Sequence, residues 1–69
     1  MNINVKVGSI IRKIRESQGY SQNDFAEECQ ISRAYYGRIE RGEHSITIET
    51  CEKIAKTLGI PIKVLFEDV

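Results

Sequence analysis

The sequence predicts an all-α fold of five short helices. Three observations predict it. Apolar residues recur at i, i+3, i+4 and i+7 rather than in alternation. Glycines that can take a left-handed stop position stand where these stripes end, at Gly19, Gly42 and Gly59. Small polar residues suited to capping a helix, Ser21, Ser32 and Thr47, precede the stripes that follow. Val5 and Val7 alternate for only a few residues, so no strand pattern competes.

The first helix carries Val7, Ile10, Ile11 and Ile14 on one stripe and stops at Gly19. Ser21 opens the second, with Asp24 three residues on, a variant of the capping box with Asp in place of Glu or Gln. Phe25, Ala26 and Cys29 form its inner face, and Gln30 with Ile31 makes a brief turn. Ser32 caps the third helix, which runs to about Arg41 and is stopped by Gly42. The segment "GEHSI" reads as a loop. Thr47 caps the fourth helix, lined by Ile48, Cys51, Ile54, Ala55 and Leu58 and ended by Gly59. Pro61 suits the first turn of a fifth helix, whose apolar residues are Ile62, Leu65 and Phe66.

Size and composition narrow the function. A chain of 69 residues is read as one domain, 1–69, near the lower limit at which one core suffices and where oligomerisation often helps. No apolar run approaches the roughly 20 residues of a membrane span. The opening "MNINVKVGSIIRKIR" lacks an apolar region followed by a small-residue cleavage site, so a cytoplasmic protein with no membrane partner is expected. Cys29, Cys51 and the single His44 are too few for a zinc set, and the cysteines read as buried thiols. No metal and no cofactor are expected. The absence of a phosphate-cradling glycine loop also argues against an enzyme.

The formal net charge is zero and the isoelectric point is about 6.6, whereas a nucleic-acid binder is usually basic. The distribution is uneven, however. Residues 1–20 carry Lys6, Arg12, Lys13 and Arg15 against Glu16 alone, and residues 21–30 carry only Asp24, Glu27 and Glu28. A zero sum can therefore hide a basic face.

That face is found in "ISRAYYGRIERGEHS", Ile31 to Ser45. At about 100° per residue, Arg33, Ala34, Gly37, Arg38 and Arg41 fall within an arc of roughly 140°. Tyr36 and Ile39 lie opposite and read as core, with Tyr35 near one edge. Gly37 and Ala34 would leave a shallow strip between the arginines. Such a face suits the DNA major groove, which admits a helix and in which arginine can donate two hydrogen bonds to guanine. The short turn before this helix gives a helix-turn-helix layout. Gln22 stands in the first turn of the preceding helix, where free N–H groups favour a phosphate.

The segment "SQNDFAEECQISRAYYGRIERGEHSIT" resembles the helix-turn-helix of the Cro/C1-type, or XRE-type, DNA-binding family. The matching elements are Ser21-Gln22, Phe25-Ala26 and Ile39-Glu40-Arg41-Gly42, and "CEKIAKTLGIPIKVLFED" resembles the family's closing helices. The similarity covers roughly residues 5–68. It implies a lambda-repressor-like domain with its helix-turn-helix at helices two and three. Arg33-Ala34-Tyr35 is similar to the Arg-Thr-Tyr of restriction–modification controller proteins. Controllers often have arginine where His44 stands, and in the wider family Phe25 replaces a usual leucine and Gln30 a frequent turn glycine.

The resemblance implies a transcriptional regulator bound as a homodimer to a palindromic double-stranded DNA operator, with RNA polymerase a further candidate partner. By analogy Arg33, Ala34, Tyr35 and Arg38 face base edges, while Gln22, Ser32, His44 and Ser45 contact phosphate. Arg15 would pair with Glu40, tying helix one to the end of helix three. Ile60, Ile62, Val64, Leu65, Phe66 and Val69 are more apolar surface than a small terminal helix can bury, and are expected to form the dimer interface. An antitoxin-type interaction module or a small phage repressor are the alternative readings.

Overall fold

The first helix, α1, spans Ile3–Ser17 in a computed structural model that describes residues 2–67. It is followed by α2 (Gln22–Cys29), α3 (Arg33–Arg41), α4 (Ile48–Leu58) and a terminal 3₁₀ helix (Ile62–Phe66). No strand occurs among the described residues. No helix there is long and apolar enough to cross a membrane.

The starts follow the expected caps. Ser21 accepts from the Asp24 N–H, Ser32 from the Tyr35 N–H and Thr47 from the Thr50 N–H, each at 3.1 Å. Asn2 does the same for Asn4 at 2.7 Å, a cap the sequence reading did not name. The return half of the capping box at α2 is not made, because Asp24 is one methylene shorter than the usual glutamate and forms no side-chain bond back to Ser21.

All four α-helices end in the same way. A left-handed residue donates to the carbonyl three back and the next N–H to the carbonyl five back; it directly follows α2, α3 and α4, whereas after α1 Gln18, at φ −93°, stands between the helix and Gly19. Gly42 and Glu43 do so at the end of α3, with 3.1 and 2.9 Å bonds to Ile39 and Arg38. Three of the left-handed positions are glycine, and the fourth is Gln30, at φ 61°. It stands between α2 and α3.

The core is formed by Tyr36, Phe25, Ile11, Ile39, Ile54, Leu65 and Cys51, all fully buried. Phe25 packs between Tyr20 and Tyr36, with ring centroids 5.3 and 5.2 Å away. α1 lies against α3, α4 and the 3₁₀ helix, and α2 against α3 and α4. The α1–α3 contact is close because Gly8 has no side chain. A Cβ there would stand 2.4 Å from the Ile39 carbonyl oxygen and 2.6 Å from that of Glu40. The backbone of α1 therefore rests on the last turn of α3, which fixes how α3 is presented outward.

Three expectations are corrected. The fifth element is a 3₁₀ helix, and Pro61 is its cap, with an extended ψ of 143°, rather than part of its first turn. Leu65 is fully buried against the core of its own chain, so it has no surface left for a dimer interface. Ile48 does not line the core: it is 66% exposed at the first position of α4, beyond the end of the buried stripe. Val69 lies outside the described residues.

Candidate nucleic-acid interface

The outer face of α3 is positioned by the network beneath it. Glu40 is 7% exposed and Arg15 6% exposed. Arg15 donates to Glu40 through Nε at 2.6 Å and through Nη2 at 3.2 Å, a bidentate pair between α1 and α3. The remaining arginine nitrogen, Nη1, donates to the Tyr20 carbonyl at 2.6 Å, just beyond α1. The Tyr36 hydroxyl donates to Glu40 Oε2. Gln22 Nε2 donates to Glu40 Oε1 at 2.9 Å, bringing in α2. One carboxylate thus ties three helices together. No buried side-chain nitrogen or oxygen among the described residues lacks a partner.

The electrostatics follow. Burial alone would raise the Glu40 pKa, but the bonds from Arg15, Tyr36 and Gln22 outweigh it and hold the carboxyl below its ordinary value. Burial, reinforced by Glu40, pushes the Tyr36 phenol up, so it stays protonated and donates. The hydrogen bond to Glu40 holds Arg15 above its ordinary value, against the opposing effect of burial.

Above this network the outer face is built differently. Arg33 and Ala34 are exposed in the first turn of α3, and Arg38 is exposed one turn on. Neither Arg33 nor Arg38 forms an ion pair among the described residues. The third surface arginine is committed elsewhere. Arg41 Nε bonds Glu43 Oε2 at 3.0 Å, and its guanidinium lies over Gly37, with Nη1 3.1 Å from where a Cβ would stand. Gly37 is therefore buried, and the expected open strip narrows to the exposed Ala34.

The proposed phosphate ligands differ in what they have free. Ser32 uses its oxygen to cap α3 and keeps its O–H proton to donate. Gln22 is half-buried and its amide is engaged by Glu40, which orients it rather than leaving it a loose surface donor. Its backbone N–H, at the first position of α2, is one of the unsatisfied donors of that helix end. Ser45 is exposed. His44 Nδ1 is 2.9 Å from the Ser45 carbonyl, which can only accept, so Nδ1 carries the proton. In the neutral ring Nε2 is then an acceptor, and only the imidazolium can donate to a phosphate. Tyr35 is half-buried and its ring meets that of His44 edge to face, with centroids 5.1 Å apart.

Sequence reasoning missed three contributors. Gly8 carries no chemical signal. Tyr36 stands four residues before Glu40, a helical spacing that could have revealed its bond. The Gln22–Glu40 bond spans two helices and has no local signature.

Comparison with known proteins bears on this arrangement. A family model described as helix-turn-helix matches residues 11–65. The control protein C.MunI of Mycoplasma sp is 35% identical over 69 residues, covering 99% of this chain and 93% of that protein. The control protein C.BamHI of Bacillus amyloliquefaciens is 39% identical over 67 residues, 96% of this chain and 83% of that one. The crystal structure of the restriction-modification controller protein C.AhdI from Aeromonas hydrophila superposes with a TM-score of 0.88 at 33% identity, covering 91% of this chain and 96% of that one.

Proposed function

The chain belongs to the helix-turn-helix family and is a sequence-specific DNA-binding transcriptional regulator similar to restriction–modification controller proteins; from that premise we propose how it engages DNA. α3 enters the major groove with its N-terminal end against the bases. Arg33, Arg38 and Tyr35 read base edges, and Ala34 permits close approach. Gln22, Ser32 and Ser45 hold the phosphate backbone on either side.

One observation carries this reading. Arg33 and Arg38 stand exposed on one face of α3 without an ion pair among the described residues, while Arg15, Arg12 and Arg41 are each paired with a glutamate. A guanidinium fork left free on a helix that fits the groove suits the O6 and N7 of guanine.

The protein acts as a C2 homodimer in the cytoplasm, with RNA polymerase as a further partner at the promoter. Ile60, Ile62, Val64 and Phe66 are half-buried around the terminal 3₁₀ helix, and a second copy would cover what they leave open. Two-fold symmetry would match half-sites one DNA turn apart, ~34–36 Å.

Competition binding tests both parts. The probe is a duplex selected from a random-sequence pool by the 69-residue chain, compared with all its single-base variants. Arg33→Ala should relax preference at one symmetric pair of positions, by roughly 1–3 kcal/mol. Gln22→Ala should weaken every duplex by a similar factor, since phosphates carry no direct base identity. A single half-site should bind far more weakly than the pair. Uniform loss in Arg33→Ala, with altered base preference in Gln22→Ala, would refute the docking. Equal affinity for one half-site and two would refute the dimer.

A further inference from the structure

Tyr35 is the third residue of α3, on the edge where the base-reading face meets the domain. Its ring is half-buried, and its hydroxyl has no hydrogen-bond partner among the described residues. A tyrosine in this position can help read a base only if its ring is held. The domain supports one side. What meets the ring from outside is His44, at 5.1 Å between centroids and 84° between planes, a favoured aromatic arrangement.

His44 is itself well held. The chain leaves α3 through two backbone bonds, Gly42 N–H to Ile39 and Glu43 N–H to Arg38, so the loop starts from a fixed point. The bond from Nδ1 to the Ser45 carbonyl then sets the ring's orientation. That bond also commits the proton-bearing nitrogen of the neutral ring, leaving Nε2 as an acceptor that cannot donate to a phosphate oxygen. The contact His44 does make is through its ring, on Tyr35.

We propose that His44 is a positioning residue for Tyr35: the loop after α3 fixes the tyrosine on the base-reading edge and so sets sequence preference without touching a base. The inference rests on the docking proposed above. It replaces the phosphate contact expected of His44.

The test compares three substitutions at this position with wild type and Tyr35→Ala, using the selected duplex and its single-base variants. His44→Ala removes the ring. It should lose preference by roughly two- to tenfold, the worth of one aromatic edge contact, at the same base positions that Tyr35→Ala affects. His44→Phe keeps a ring and has no nitrogen, and should restore that preference. His44→Arg supplies a cation without the same ring contact, and should tighten all duplexes alike without restoring it. If Phe behaves as Ala while Arg recovers wild-type binding, His44 is a phosphate ligand and the inference is wrong. It is equally wrong if His44→Ala keeps the wild-type preference. A wild-type protein with no sequence preference would overturn the docking, a separate failure visible before any variant is compared.

Discussion

Arg15 and Arg33 are the same side chain put to opposite uses. Arg15 lies beneath α3, and every one of its nitrogens has a partner: two on Glu40 and one on the Tyr20 carbonyl. Arg33 lies on the outer face of α3, exposed and without an ion pair among the described residues. The buried cation cannot be left uncompensated, because desolvating an unpaired charge is expensive. The exposed one can be, because water solvates it until a ligand arrives. The degree of satisfaction therefore separates scaffold from interface more sharply than residue type does.

The largest test of this contrast is Glu40→Ala. It removes the acceptor for Arg15, Tyr36 and Gln22 together. Breaking a buried pair by deleting one partner costs about 3–5 kcal/mol, a large part of the stability of so small a domain. Arg33→Ala, at an exposed site with no ion-pair partner among the described residues, should change stability by no more than about 0.5 kcal/mol. Denaturant titrations of the two variants should therefore diverge widely. Equal stabilities would erase the distinction between the two faces.

Acid should act on the same region more gently. The Glu40 carboxyl is held below its ordinary value in the folded state, burial being outweighed by its three donors. The unfolded chain, with a glutamate near pKa ~4.3, then binds the proton more readily than the native state does. The stabilisation is present above that value and is lost as pH falls through the folded one. Thermal melts from pH 7 to 3 should show wild type losing stability in the acid range more steeply than Glu40→Gln, which has no proton to gain. Parallel curves would mean that Glu40 is no better held in the native state than in the unfolded one.

The contrast also explains what could be read from the chain. Caps and stops are local chemistry, so Ser21, Ser32, Thr47 and three glycines located the helices. Periodicity separated Tyr36 and Ile39 from Arg33 and Arg38, because a helix converts spacing into sides. What escaped depended on a second element. Ile48 fits its stripe but lies past the edge of the core, and Leu65 is apolar like its neighbours yet is fully buried where Ile62, Val64 and Phe66 are not. Gly8 matters only because the carbonyls of α3 pass beside it. Arg41 shares the arc of Arg33 and Arg38, but its guanidinium bonds Glu43 and lies over Gly37, which spacing on the helix could not show.

The smallest expected effect lies at the joint between the two helices of the motif. Gln30 holds φ 61° at the end of α2, where the other α-helices use glycine. A residue with a Cβ costs about 1–2 kcal/mol in that conformation, which glycine adopts freely. Against this, glycine loosens the unfolded chain, by roughly 0.4–1 kcal/mol. The Gln30 side chain is exposed and makes no hydrogen bond among the described residues that would be lost. The first effect exceeds the second, so Gln30→Gly should stabilise the protein by about 0.5–1 kcal/mol, seen as a shifted denaturation midpoint at unchanged slope. It touches neither Arg33 nor Arg38, and the backbone bonds of the turn, Gln30 N–H to Glu27 and Ile31 N–H to Ala26, remain. DNA affinity should therefore stay the same while stability rises. A stabilised variant that binds its duplex less well would show that the stiffness of this turn belongs to recognition as well as to the scaffold.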